Sequence, residues 1–389
     1  MKRIAVVTPI LPVPEDKTRG RFIYETALAL SRQATVRVFL QQPRYPAIPG
    51  LRPRSQTVPL VGPDFKLDGL DVQAGTYPAL PVLSRLSNGW ACGRTLLPGL
   101  RAFAPDIVIG YWVYPEGAGA LQAGRQLQRP VVIGALGTDI HVRSGLIARM
   151  TGRTLRQSDA VITVSEAMTR YTIDQYQTSP AQVHTIVNGF NTSVFYPRPR
   201  GALRAQHGMS DQHKLMVYVG RLIEAKGLRE LIEAFAQLSQ RDPLVRLTLI
   251  GEGLMHDEIQ ALVQQRGLGP QVILTGGLLP QQVAEWMSNA ELVVLPSWSE
   301  GYPNVLVEAL ACGCPVVATR VGGIPEIIND GNGRLVPARD TAALEKGLDQ
   351  ALRHPWDRVA ISQAMTRTWD DVATETLAVC EQVIATARN

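Results

Sequence analysis

The stretch Pro296–Glu326, PSWSEGYPNVLVEALACGCPVVATRVGGIPE, decides how this chain is read. ELVVLP, Glu291–Pro296, runs into it as a short apolar segment with the character of a buried parallel strand. PVVATR, Pro315–Arg320, is a second such segment inside it. Between the two lie a loop with Ser297, Glu300 and Gly301 and then a helix whose first turn carries Pro303. Proline suits the first helical position, where the missing N–H has no partner to lose. The amides of Asn304, Val305 and Leu306 are then expected to point out of the helix end, with the positive side of the macrodipole behind them. Glu300 stands just before this anion-binding end and Glu308 about a turn and a half inside it. A backbone anion site flanked by carboxylates calls for a ligand with both phosphates and hydroxyls, as a nucleotide sugar has.

The same residues carry a resemblance. Glu300 and Glu308, in EGYPNVLVEALACGCPVVAT followed by VGGIPE, are similar to the paired-glutamate signature of the family 4 glycosyltransferases. The resemblance covers nearly the whole chain and is strongest over 216–336. It implies an α/β chain of the GT-B fold, two Rossmann-like domains with parallel sheets facing across a cleft. Residues 1–190 would form the N-terminal, acceptor-side domain and 200–371 the C-terminal, nucleotide-sugar-binding domain. The last helix, within 372–389, would pack back on the first. The implied reaction moves a sugar from a nucleotide diphosphate sugar to a lipid-linked or saccharide acceptor, with retention of anomeric configuration. No cofactor and no metal is expected, and the implied setting is assembly of a cell-surface polysaccharide or glycolipid.

The rest of the chain fits that outline. At 389 residues it exceeds one ordinary core, so two domains are expected on length alone. The start, MKRIAVVTPILPVP, imitates a leader peptide, but Pro9, Pro12 and Pro14 and the lack of a small-residue cleavage site point to a first strand. No apolar run approaches the roughly 18 residues that span a bilayer, so a cytoplasmic protein is expected. Cys92, Cys312, Cys314 and Cys380 form no paired CxxC sets, and the histidines are scattered, so buried structural cysteines and no protein-held metal are expected.

Charge is unevenly divided. Residues 1–189 hold 21 Lys and Arg against 12 Asp and Glu, a balance of +9, and 190–389 hold 18 against 22, a balance of −4. A basic half calls for an anionic partner. Nucleic acid is not expected, because no basic-aromatic strand pattern or helix-turn-helix is present. An anionic membrane surface, on the inner face of the cell membrane, or an acidic lipid-linked acceptor fits better. SRLSNGWACGRTLLPGLRAF, Ser84–Phe103, mixes Arg85, Arg94 and Arg101 with Trp90, Leu96 and Leu97 as an interfacial segment would. Its glycines and Pro98 argue against a long helix, and a plain surface helix is an equal alternative.

In chain order, RIAVVT (Arg3–Thr8) reads as a strand, a proline loop reaches Gly20, and a helix follows. That arrangement brings backbone amides to phosphate, so Gly20 is a candidate for close approach to the donor diphosphate. TVRVFL (Thr35–Leu40) is a second strand, whereas 41–83 is proline-rich and reads as irregular. DIVIG and VVIGAL follow as strands, and the second leads into GTDIH, Gly137–His141. Relatives commonly carry His-Gly-x-Asp here. Leu136 replaces the histidine, so that contact is not carried over, while Gly137 and Asp139 are. His141 is a substitute for it or, as lone loop histidines more often are, structural. Arg149, Arg153 and Arg156 share one helical face and read as solvated.

KLMVYVGRLIEAKGLRELIEAF then opens the second domain as strand, turn and helix. Arg221 and Lys226 stand at the carboxyl end of its strand, where open α/β sheets bind ligands. The resemblance assigns both to the donor diphosphate, a role for which a forked guanidinium and a compact ammonium are suited. It also places Gly276 and Gly277 near the nucleobase, Glu300 against the transferred sugar and Glu308 on the ribose. Glu300, Lys226 and Arg221 are therefore the candidate catalytic residues. Gly20, Asp139, Gly277, Asn304, Val305, Leu306 and Glu308 are the candidate donor-binding ones. Two rival functions remain: a nucleotide-sugar epimerase on the same architecture, and a nucleotide-sugar-binding subunit without turnover, motivated by Leu136.

Overall fold

The computed structural model describes residues 1–46, 60–80, 84–141 and 143–388. They form two compact units, Met1–Asn188 with Trp369–Asn389, and Gly189–Thr368.

The first unit is built on β1 (Arg3–Thr8), β2 (Thr35–Arg44), β3 (Asp71–Pro78), β4 (Ile107–Tyr111), β5 (Val131–Ala135), β6 (Ala160–Thr163) and β7 (Val183–Thr185). They make one parallel sheet in the order β3-β2-β1-β4-β5-β6-β7. Ile4 stands opposite both Val36 and Ile107, so β-branched and aliphatic side chains stack in rows across the sheet. On one side, Ile23, Ala27 and Leu30 of the helix Arg21–Ser31 share a core with Val372, Ala373, Cys380 and Ile384 of the helix Trp369–Arg388. Arg32 pairs with Asp370 at the edge of that contact. Ser165, accepting from the Met168 amide at 3.2 Å, caps the helix that follows β6.

Two expectations for this unit change. The stretch 41–83 is not irregular throughout its described part: β2 continues to Arg44, and β3 pairs with it from Arg37 to Arg44. β3 reads DVQAGTYP and is an edge strand with mostly half-exposed residues, so it lacks the apolar run that marks the central strands. Residues 47–59 and 81–83 of that stretch lie outside the described residues. Second, Asn88–Phe103 is a continuous helix of 16 residues despite its glycines and Pro98. Its glycines serve close packing on the helix Ala118–Gln126. A Cβ at Gly93 would come within 3.0 Å of the Gly119 carbonyl, and one at Gly119 within 2.8 Å of Cys92 Sγ. Arg149, Arg153 and Arg156 are exposed, as a solvated stripe requires.

The second unit contains β8 (Lys214–Val219), β9 (Val245–Ile250), β10 (Val272–Gly276), β11 (Leu292–Leu295), β12 (Val316–Thr319) and β13 (Gly333–Val336). These form a parallel sheet in the order β10-β9-β8-β11-β12-β13. The four residues of β11 and the four of β12 are wholly buried, which accounts for the uninterrupted apolar runs of ELVVLP and PVVATR. Chain order reverses between β8 and β11, so the switch point of this sheet lies at their carboxyl ends, the place where ligands bind in such sheets. All four cysteines are buried and none is in a disulfide. Among the described residues no helix is long and apolar enough to cross a membrane.

Candidate functional site

The loop after β8 and the loop after β11 meet at the switch point of the second unit. The Trp298 amide donates to the Ala225 carbonyl at 2.8 Å, joining the two backbones. Lys226 Nζ then reaches Glu300 Oε1 at 2.5 Å. Both side chains are largely sheltered, 19% and 11% exposed, so their attraction is less screened than that of a surface pair. Trp298 is fixed in turn, donating from Nε1 to Glu230 at 3.0 Å while the Arg339 guanidinium stacks on its ring.

Glycine explains why the loop can hold Glu300 in place. Gly322 adopts a left-handed φ of +52°, and a Cβ there would stand 1.8 Å from the Glu300 carbonyl oxygen. Gly323 N–H donates to Gly301 O at 3.0 Å alongside. The Gly-Gly of VGGIPE thus lets the segment after β12 run directly against the glutamate loop.

The helix itself begins one residue later than expected. Asn304–Ala311 is helical and Pro303 is its cap, at φ −77° and ψ 107°, outside the first turn. Leu306 N–H donates back to the Pro303 carbonyl at 3.1 Å. That amide is committed within the turn, so Leu306 drops out of the anion-facing part of the helix start. Glu308 stands on the same face as Asn304, one turn on. Arg221 is exposed at the end of the β8 loop, and the Tyr218 hydroxyl donates to its carbonyl at 2.9 Å. Tyr218 is itself fully buried, and its hydroxyl is pushed well above the ordinary tyrosine range, first by burial and then by the Glu300 carboxylate. Gly277 is exposed beyond β10, with Glu252 beside it.

Gly20 and Asp139 belong to the first unit, and each has an internal role there. Gly20, at φ +62°, precedes the helix Arg21–Ser31, and a Cβ on it would lie 2.7 Å from the Ile10 carbonyl oxygen. The close approach that requires glycine is therefore to the preceding loop. Asp139 is completely buried. Its Oδ1 accepts from the amides of Leu136 at 3.0 Å and Gly137 at 2.8 Å, and its Oδ2 from Val113 at 3.3 Å. Burial raises this carboxyl above the ordinary aspartate range and the three amides oppose the rise. Its carboxylate ties the turn after β5 to the segment after β4. His141 packs its ring 4.3 Å from Tyr171 and is shifted down by burial.

Sequence reasoning passed over one buried acid. Glu116, in the turn after β4, is 2% exposed and accepts from the Tyr77 hydroxyl at 2.7 Å on Oε1, while Oε2 is buried without a partner. Burial pushes its carboxyl up to about 7, against the pull of Tyr77 and Arg143. Nothing in YPEG marks that shift, which follows from burial in the folded unit. Among the described residues no group of three His, Cys, Asp or Glu is placed to hold a metal ion.

The comparisons with known proteins bear on both units. The profile for glycosyl transferases group 1 matches residues 199–368, and that for Glycosyltransferase Family 4 matches 20–194. D-inositol 3-phosphate glycosyltransferase of Frankia alni is 32% identical over 302 residues, 75% of this chain and 70% of that protein. MMP alpha-(1->4)-mannosyltransferase of Mycolicibacterium hassiacum is 31% identical over 245 residues, 61% of this chain and 57% of that protein. Other D-inositol 3-phosphate glycosyltransferases, from Segniliparus rotundus, Acidothermus cellulolyticus and a Nocardioides, are matched over only 41%, 55% and 58% of their lengths. Sucrose-phosphate synthase from Thermosynechococcus elongatus superposes with a TM-score of 0.77 at 22% identity, over 99% of this chain and 100% of that one. HepE of Anabaena, crystallised with UDP and glucose, superposes with a TM-score of 0.70 at 21% identity over 99% of each chain. At such identities these two structures establish the fold.

Proposed function

Since this chain is a family 4 glycosyltransferase of the GT-B fold, we propose that it moves a sugar from a nucleotide diphosphate sugar to a lipid-linked or saccharide acceptor with retention. The observation that carries this reading is the Lys226–Glu300 contact at the mouth of the second unit's switch point, beside the helix start at Asn304. A cation, a carboxylate and helix-end amides in one crevice suit a ligand that is anionic at one end and polyhydroxylated at the other.

In this reading the donor diphosphate exchanges with Glu300 as the partner of Lys226. Arg221 and the amides of Asn304 and Val305 take further phosphate oxygens. Glu300, released from the ammonium, faces the sugar, where positive charge grows as the bond from the anomeric carbon to the phosphate oxygen breaks. The acceptor oxygen forms its bond on the same face, and its proton passes to the departing phosphate. Lys226 and Arg221 stabilise the charge left there. Glu308 holds ribose hydroxyls, which do not change during the reaction. No metal enters this scheme. The setting we infer is cell-surface polysaccharide or glycolipid assembly, by a cytoplasmic enzyme associated peripherally with the inner membrane face.

The test is a thermal-shift screen of nucleotide sugars followed by transfer assays with the donor that binds, since a ligand raises the melting temperature in step with its affinity. Transfer with retained configuration is the expected result. Isomerised donor formed without acceptor would identify an epimerase instead. Binding with neither transfer nor donor hydrolysis would identify a non-catalytic subunit.

A further inference from the structure

The helix Asn304–Ala311 is about 12 Å long. Its start faces the candidate donor crevice, and its far end, with Cys312 and Gly313, lies at the opposite edge of the same sheet. At that far end the second unit carries a half-open cavity of about 520 Å³. Its walls include Arg198, Arg200 and Arg358 together with Ser288, Cys312 and Ser362, and none of its lining residues is acidic.

The three guanidiniums are held in place by neutral groups. Arg198 donates to the carbonyls of Tyr196 at 3.2 Å and Val194 at 2.6 Å. Arg358 donates to those of Ala290 at 2.8 Å and Ser288 at 3.2 Å. Arg200 donates to Ala290 O at 2.7 Å and to Glu291 at 2.9 Å. Carbonyls satisfy hydrogen bonds and orient the cations, but they carry no net charge. Glu291 pairs with Arg200 and also with Arg204, which is 2% exposed. Two arginines, Arg200 and Arg204, therefore share one acid, while Arg198 and Arg358 rest on carbonyls. The crowding registers on Arg200, which falls below the ordinary arginine range through burial first and the Arg358 charge second.

A cavity of this volume with forked donors and surplus positive charge on its wall is a preformed receptor for a planar or tetrahedral oxyanion. We propose that it binds a phosphate monoester, a free phosphorylated metabolite or a phosphate-bearing lipid headgroup, at a site separate from the donor crevice.

Two probes separate the sources: glycerol 3-phosphate in solution, and vesicles containing phosphatidic acid in neutral lipid. Binding is measured on the full chain, on Lys226→Ala, on Val359→Glu and on Val359→Gln. Val359 lines the cavity with a side chain 64% exposed, so the glutamate adds a charge to the rim without removing any of the hydrogen bonds above. Saturable one-to-one binding is expected for at least one probe. It should be unaffected in Lys226→Ala and Val359→Gln and weakened tenfold or more in Val359→Glu. Whichever probe binds names the source. Undiminished binding in Val359→Glu would overturn the proposal, placing the anion at the donor crevice where Lys226→Ala loses it and elsewhere on the surface where Lys226→Ala keeps it, as would failure of both probes to saturate.

Discussion

Lys226 and Glu300, 74 residues apart in sequence, meet at 2.5 Å because β8 and β11 are neighbours in the second sheet and their loops leave the same edge. In the proposed mechanism a substrate phosphate takes the carboxylate's place on the ammonium, which the contact holds in position. Lys226→Ala is expected to lower kcat by 10²–10³, about 3–4 kcal/mol, with a smaller loss of donor affinity. The leaving oxygen gains charge as the sugar bond breaks, whereas the diphosphate is already charged in the ground state. Steady-state kinetics with separate donor-binding measurements check this; an equal loss in affinity at unchanged kcat would count against the role.

The two glutamates are expected to fail differently. Glu300→Gln removes a negative charge from the point where the sugar becomes cationic and lowers kcat strongly. Glu308→Gln weakens an interaction that is the same in ground and transition states, so it mainly raises the donor KM. Near-normal kcat in Glu300→Gln would remove the centre of the proposed mechanism.

Gly322→Ala tests the support behind Glu300. Its left-handed φ of +52° and the 1.8 Å approach to the Glu300 carbonyl leave no room for a methyl group. The expected result is a folded protein destabilised by more than about 1 kcal/mol, the cost of the backbone conformation alone. Activity should fall further than stability does, because the proposed mechanism sets Glu300 against the reacting sugar. Urea unfolding and kinetics on the same preparation report the two effects; wild-type activity would show that the loop tolerates displacement.

Glu116 gives a pH signature. A carboxyl at about 7 in the folded state and near 4.5 when unfolded binds more protons folded, so stability falls as pH rises across that window. The difference amounts to roughly 3 kcal/mol once Glu116 is fully ionised. Glu116→Gln keeps an acceptor for Tyr77 and cannot ionise. It should match the wild type near pH 4.5 and exceed it by pH 8. Parallel stability curves for the two proteins across that range would rule out the raised value.

The helix Asn88–Phe103 presents Trp90, 56% exposed, with the Arg94 guanidinium 4.9 Å over its ring. Together with the +9 balance of residues 1–189, this face is expected to bring the full chain to anionic vesicles, with release by salt. Arg94→Glu should weaken vesicle binding about tenfold or more, from roughly 1 kcal/mol for each unit of charge changed. Equal sedimentation with neutral and anionic vesicles would exclude the surface.

The sequence by itself determined the class of fold and the address of the candidate crevice. ELVVLP and PVVATR read as strands buried on both faces, and the structure has them so. Glu300 and Gly301 between them read as a loop and Pro303 as a helix start, one residue ahead of the observed one, and these signals are local, set by side-chain period and backbone preference. What each singled-out residue touches was decided by tertiary structure. Lys226 reaches Glu300 because of strand order, which no local pattern encodes. Leu306 gives its amide to Pro303 because the turn there is tighter than an ideal helix start. Gly20 clears the Ile10 carbonyl, and Asp139 is buried under three amides, although the same glycine and aspartate in an open loop would face a ligand. β3 lacks the apolar run of a buried strand and exists because β2 offers it a hydrogen-bonding edge. Spacing along a chain fixes which face a side chain takes; distance in space depends on which strands become neighbours, and only the folded sheet settles that.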